Sequence, residues 1–545
     1  MQILKRSYLS CLFTFFISIN GFSKETKAKS KTEENIKSDK PNIIMILADD
    51  MGYSDLGCYG SEINTPNLNK LAQNGMRFTQ MHNTAKSFPS RACLLTGIYS
   101  QQSGMSENPL EIKNSISIGD LAKSAGYRTL FSGKNHSKTT LYNFGFDHIF
   151  EFFGGATNHF NPGSQRDGEA KPVFKGKPDT WNIDNKAYYP FVTEKDFYST
   201  DYFTRNVISY LDQTKNDKNP FLVYLAYTAP HDPLMAWPED IAKYRGKYKV
   251  GYQAIREARY KKMLALGMVD PNMKLSEPSY SNWNALSDEE KDKEDLRMSI
   301  FAAMIDRIDQ NIGKLLKKLE ENGQLENTLI MFASDNGACS ENYEQKQTGT
   351  GAPGSLSYWT SLGEDWANVC NTPYRLFKNN SYEGGICTPF IASYPKLIKN
   401  KGSINNQVLH FVDIMTTIQE VTGATYPTNF RNQEIVPMQG ESFLPALKGE
   451  ALKERQKPIF WQWAKGKAIR VGNWKAVANK EVWALYDMQN DRNETTDLKG
   501  VNPEKFKELI KLYDEWAAKN VSSSTSTDID EEQGAKKEKK KKKQD

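Results

Sequence analysis

This sequence is short of cysteine and of histidine, with six of each in 545 residues. No Cys-x-x-Cys pair occurs, so a metal–thiolate site is not expected. Cys11 lies in an N-terminal apolar run, too early in it to follow a lipidation signal. The other five cysteines, Cys58, Cys93, Cys339, Cys370 and Cys387, are odd in number and allow at most two disulfides. Cys370 and Cys387 are a candidate pair, with buried free thiols as the alternative. Past the N-terminus no apolar run reaches membrane-spanning length, so no integral membrane segment is expected. A true excess of charge is missing too. The formal +5 comes from residues 536–543, seven lysines and one glutamate, and the rest of the chain is close to neutral. A basic run at the very end, preceded by Ser and Thr, reads as a solvated tail, and no nucleic-acid partner is expected.

What is present is enough apolar and aromatic content, 38% and 12%, for one large domain and a smaller one. Lys5 and Arg6 precede the apolar residues 8–19, and Gly21-Phe22-Ser23 offers a cleavage site. Residues 1–23 therefore read as a secretory signal peptide, and 24–40, almost all Lys, Glu, Ser and Thr, as a disordered linker. A catalytic α/β domain is expected over 41–426, a C-terminal subdomain over 427–520 and a disordered basic tail over 521–545. The body of the protein is expected outside the cytoplasm.

Several buried strands are expected, each delivering polar residues. Residues 41–50 carry five large apolar residues in a row, then Ala48, and end in Asp49 and Asp50. Such a run suits a strand covered on both faces of a parallel sheet, where ligands bind beyond the carboxyl ends. Residues 127–131 lead to Lys134 and His136, residues 221–227 to His231 between Pro230 and Pro233, and residues 328–332 to Asp335 and Asn336. In a parallel sheet these ends share one rim, so groups scattered in sequence converge. Helices are expected over 67–75, 117–126, 201–211 and, from the spacing of Ile305, Ile308, Ile312, Leu315 and Leu319, up to Gly323. Residues 150–200 read as a long irregular excursion that shapes substrate binding, and 256–293 as a charged helical insertion. Four short strands between 458 and 486 and a helix over 503–519 form the smaller antiparallel unit. Three carboxylates and one amide oxygen make a hard oxygen cage, which suits calcium better than zinc, with magnesium the nearest competitor.

The segment Ser87-Phe88-Pro89-Ser90-Arg91, followed by Thr96-Gly97, is the expected nucleophile element. Pro89 suits the first turn of a helix, so Ser87 should lie just outside it, where free N–H groups favour an anion. The segment resembles the signature of type I sulfatases, in which a Cys or Ser is oxidised to formylglycine (3-oxoalanine). Ser132-Gly133-Lys134-Asn135-His136 is similar to the family's Gly-Lys-x-His, although Asn135 to Ser137 depart from the commoner Trp-His-Leu. Lys378 before Tyr382-Glu383-Gly384-Gly385 resembles its second active-site lysine. The likeness spans about residues 41–520.

The resemblance implies an alkaline phosphatase-like fold: a large mixed, mostly parallel sheet flanked by helices, with a smaller C-terminal antiparallel sheet plus helix. It implies one calcium ion on Asp49, Asp50, Asp335, Asn336 and the modified Ser87, Arg91 holding the formylglycine, and Lys134 and Lys378 binding sulfate oxygens. His136 assists the hydrate and His231 protonates the leaving oxygen. One hydroxyl of the aldehyde hydrate attacks sulfur and releases an alcohol; the other is deprotonated, and collapse to the aldehyde expels inorganic sulfate. Serine at the modified position implies a bacterial serine-type maturase and so the periplasm, a secreted state or the cell surface. The expected substrate is a sulfated carbohydrate, such as ulvan or a glycosaminoglycan fragment. Two rivals stand beside this reading: a phosphoester or phosphonate hydrolase of the same superfamily, and an inactive glycan-binding homologue. Dizinc phosphatases put histidine where this chain has Asn336, which argues against that chemistry.

Overall fold

The computed structural model describes residues 40–173, 180–188, 193–346 and 351–521. The segments expected as signal peptide, linker and basic tail lie outside the described residues, apart from residues 40 and 521.

An eleven-stranded sheet organises the chain. Its strands are β1 (Asn42–Ala48), β2 (Met76–His82), β3 (Arg128–Lys134), β4 (His148–Phe152), β5 (Trp181–Ile183), β6 (Lys186–Ala187), β7 (Phe221–Ala226), β8 (Thr328–Ser334), β9 (Cys387–Ser393), β10 (Ser403–Asn405) and β11 (Leu409–His410). The order is β10-β2-β9-β8-β1-β7-β3-β4-β5-β6, with β11 also pairing β2. Strands β8, β1, β7, β3 and β4 run parallel. Strand β9 runs against both β8 and β2, so β2 points the same way as the central strands.

Alternation explains the unbroken apolar runs. Ile44 and Ile46 of β1 join Val223, Leu225, Ile330 and Phe332 beneath Ile305, Ile308 and Ile312. Ile43, Met45 and Leu47 join Leu222, Tyr224 and Met331 against Leu94, Leu121 and Met415 on the other face. Side chains of period two thus fill two helical layers, and every position of the strand must be apolar. The helix read from Ile305 onward is the second half of a 34-residue helix, Asp288–Glu321. Its charged first turns hid the periodicity, and a capping box of Ser287 with Glu290 opens it. The charged insertion is the helix Tyr252–Ala265, a loop, and the start of that long helix.

Beyond the large sheet, Ile459–Trp463 (β12), Gly466–Val471 (β13), Trp474–Asn479 (β14) and Val482–Asp487 (β15) form an antiparallel meander. The helix Pro503–Asn520 packs on it, with Trp516 stacked on Phe460 at 4.7 Å. Of the two cysteine alternatives the second holds: Cys370 and Cys387 do not pair, and all five described cysteines are buried free thiols. Cys387 Sγ instead faces the Thr79 carbonyl at 3.6 Å, while Cys370 interacts with Asp55.

Candidate active site

Strand direction brings the polar residues together. Ala48 pairs with Ser334, and Ala226 pairs with both Leu47 and Gly133. Residues that leave β1, β3, β7 and β8 therefore emerge side by side. Because β9 is antiparallel, it begins at this rim, and the segment preceding it carries Lys378 there. Strand β2 ends at the same rim and feeds the helix Ser87–Thr96. Ser87 is the first residue of this helix, not just outside it, and extended Lys86 is the cap. Gly133 is required by close approach: a Cβ there would lie 1.8 Å from the Ala226 oxygen. Non-glycine residues with left-handed φ gather at the rim, namely Asp50 (69°), Ala85 (62°), His136 (60°) and Asn379 (72°). Each costs about 1–3 kcal/mol, and such strain collects at working sites.

Ser87 Oγ lies 3.1 Å from Asp49 Oδ1 and 3.3 Å from Asn336 Oδ1. Arg91 donates from Nε and Nη2 to Asp335 Oδ2 at 3.0 and 2.8 Å, and from Nη1 to the Lys134 carbonyl at 2.7 Å. Lys134 Nζ meets Asp49 Oδ2 at 2.5 Å. Lys378 Nζ reaches both Asp50 oxygens, at 2.7 and 2.9 Å. Asn336 Nδ2 donates to Asp50 Oδ1 at 2.6 Å. His231 Nε2 is 3.5 Å from Asp50 Oδ2, and its Nδ1 is 2.8 Å from Asp232 Oδ1. His136 closes one side, its ring edge-on to Phe88 at 5.7 Å and its Nδ1 buried without a partner. Asp49, Asp50, Ser87, Arg91, Lys134, Asp335, Asn336 and Lys378 are all buried. All ten residues expected from the sequence thus meet in one place.

Burial would raise the Asp49 carboxyl, but Lys134, His231, Arg91 and Lys378 together hold it well below the carboxylate range. Asp335 is pushed up to about 6 by burial and by the charge of Asp49 beside it. Burial opposes the charge on His231, yet Asp50 and Asp49 draw its pKa up to about 9, so it is an imidazolium at neutral pH. His136 goes the other way: burial, Lys134 and Arg91 hold it well below 6.5, as a neutral ring. One histidine is thus an acid and the other a potential acceptor.

Three further contributors had no role in the sequence reading. Asp232 orients His231, and its neighbour in sequence was the only sign of it. His159 emerges from the long excursion, accepts or donates at Ser199 Oγ (2.8 Å) and meets the His231 carbonyl at 3.1 Å. Glu383 of the Tyr-Glu-Gly-Gly segment anchors the loop behind Lys378. It lies 3.0 Å from His82 Nε2 and 2.9 Å from Lys475 Nζ, and its N–H donates to Glu494 Oε2 at 2.7 Å. The C-terminal meander, through Lys475, therefore holds part of the rim.

Asp49 and Asp50 offer carboxylate oxygens within 4.8 Å of one another, with charged His231 beside them. With Asp335, Asn336 Oδ1 and Ser87 Oγ around them, these oxygen donors fit a hard divalent cation. His82, Glu383 and Cys387 are also close, but both His82 nitrogens are committed, to Glu383 and to the Leu409 carbonyl at 3.0 Å. That second group is an ion-pair network.

A hydroxyl set among carboxylates, two buried lysines, an arginine and an imidazolium defines a hydrolase for esters of a strong oxyanion. Comparison names the oxyanion: the Sulfatase family model matches residues 41–424, and the C-terminal model of N-sulphoglucosamine sulphohydrolase matches residues 374–520. An arylsulfatase of Klebsiella aerogenes is 33% identical over 78% of this chain and 95% of its own. An uncharacterized sulfatase of Schizosaccharomyces pombe is 31% identical over 88% of this chain and 93% of its own. The crystal structure of Ps i-CgsB in complex with k-i-k-neocarrahexaose matches with a TM-score of 0.66 at 28% identity, over 90% of this chain and 96% of that one. The chain belongs to the sulfatase family and is a sulfuric ester hydrolase, on the alkaline phosphatase-like fold expected above. Among the described residues no helix is long and apolar enough to cross a membrane.

Proposed function

We propose that this sulfatase removes sulfate from a sulfated carbohydrate, using an aldehyde hydrate made by oxidation of Ser87. The observation that carries the reading is the position of Ser87 Oγ within 3.3 Å of both Asp49 and Asn336 oxygens, beside a buried guanidinium. When formed, the hydrate supplies one oxygen to attack sulfur and a second whose deprotonation expels sulfate. Calcium is the cation that best suits the Asp49, Asp50, Asp335, Asn336 and Ser87 oxygens, and when bound it neutralises the sulfate charge. Lys134 and Lys378 flank the carboxylates and hold sulfate oxygens. Arg91, fixed by Asp335 and the Lys134 carbonyl, orients the modified side chain. Charged His231 gives a proton to the departing alcohol oxygen. Neutral His136, with Nδ1 unpartnered, serves the hydrate as hydrogen-bond partner and proton acceptor.

The carbohydrate assignment draws support from the neocarrahexaose held by the relative above and from the aromatic excursion over the rim. Serine at position 87 implies a serine-type maturase and a bacterial envelope location. Mass spectrometry of the Ser87 peptide, from protein matured by such an enzyme, tests the mechanism. Conversion to 3-oxoalanine with sulfate release from sulfated oligosaccharides is the expected result. An active protein whose Ser87 is unmodified would overturn it, and faster phosphate than sulfate release from matched aryl esters would favour the phosphoester rival.

A further inference from the structure

The rim holds one cation that this chemistry leaves unused. Lys86 precedes Ser87 with extended backbone (φ −148°, ψ 144°) and is half-buried. Among the described residues no carboxylate or hydrogen-bond acceptor meets its ammonium. It lies instead over Trp463 of β12, whose ring centroid is 5.6 Å from Nζ. Trp463 is itself fixed to the rim. Its indole N–H donates to Asn379 Oδ1 at 3.2 Å, and Phe88 packs edge-on at 5.1 Å. The β12–β13 turn beside it fits tightly on the Lys378 loop, since a Cβ on Gly466 would come within 2.9 Å of Ser381 Oγ.

Lys378 is neutralised by Asp50, whereas Lys86 makes no ion pair among the described residues, and Glu341 and Asp50 act on it only from beyond pairing distance. A half-buried ammonium with no carboxylate paired to it is costly to maintain, and such a charge invites an anion. Consecutive Cα atoms are about 3.8 Å apart, so a lysine beside Ser87 reaches substituents close to the ester under attack.

We propose that Lys86 and Trp463 form a subsite for a second anionic group of the substrate, a carboxylate or another sulfate on the ring that bears the scissile ester. Lys86 pairs with the anion, and the indole holds the ammonium and bounds the ring. The assignment rests on the sulfate-ester reading and narrows it to polyanionic substrates.

The test compares kcat/KM of matured protein for 4-nitrophenyl sulfate, 2-carboxy-4-nitrophenyl sulfate and 4-nitrocatechol disulfate. Wild type, Lys86→Met and Lys86→Arg are measured together, so differences in leaving-group reactivity cancel between proteins. For Lys86→Met the preference for the doubly anionic esters should fall about tenfold to a hundredfold, the worth of one charge-assisted hydrogen bond, chiefly in KM. Lys86→Arg should keep it. The ester with the larger effect identifies carboxylate or sulfate as the recognised group. The melting temperature of Lys86→Met should not fall, because an unpaired charge has been removed. A preference unchanged in Lys86→Met overturns the subsite. No sulfate release from any of the three esters by the wild type overturns the sulfate-ester reading, and the subsite with it.

Discussion

Lys475→Met puts the link between the C-terminal meander and the rim to a quantitative test. Lys475 Nζ lies 2.9 Å from Glu383 Oε1 and 2.6 Å from Glu494 Oε1, and all three side chains are fully buried. Its removal leaves two buried carboxylates facing each other, with His82, Arg470 and Arg492 left near Glu383. Breaking such a buried pair costs about 3–5 kcal/mol. At about 2.1 cal/mol/K per residue the unfolding entropy of a chain this size is on the order of 1 kcal/mol/K, so the midpoint should fall by about 3–5 °C.

The loss should also depend on pH. Burial, and then the Glu383 charge, already raise Glu494 to about 7 against the pull of Lys475. An acid whose folded pKa is raised binds more protons folded than unfolded, so stability falls as pH rises from about 4.5 to 7. Without Lys475 that window extends above 7, so Lys475→Met should be milder at pH 5 than at pH 8. Adding Glu494→Gln should recover about half the loss. Thermal melts of the single and double variants at both pH values decide it. A loss independent of pH, with no recovery in the double variant, would refute the reasoning.

His231→Gln should lower kcat about a hundredfold or more on alkyl and sugar sulfates, but far less on 4-nitrophenyl sulfate, whose leaving group needs no proton. Equal losses on both would remove its role as acid. Gly133→Ala should abolish folding or shift β3 away from β7, because the new methyl meets the Ala226 oxygen at 1.8 Å; recovery of soluble protein with wild-type melting behaviour would contradict this.

Much of the fold was legible because buried parallel strands must be apolar at every position and end in abrupt polar clusters. Residues 41–50 and 328–337 showed both features. The cage of Asp49, Asp50, Asp335 and Asn336 could be inferred from those clusters once a parallel sheet was assumed. Lys378 was different. It does not follow a strand, and it reaches the rim only because β9 runs backwards, a reversal that its apolar pattern does not encode.

Residue types and spacing by themselves determined the strand ends and the Ser87 element, since these depend on local pattern and composition. Tertiary structure alone decided that Cys370 and Cys387 stay apart, that Asp232 orients His231 and that Lys475 and Glu494 reach across to Glu383. It also decided that His231 is charged while His136 is neutral. The reason is physical: a pKa, a buried ion pair and a close backbone approach are set by what surrounds a group in space, and those surroundings come from segments hundreds of residues away.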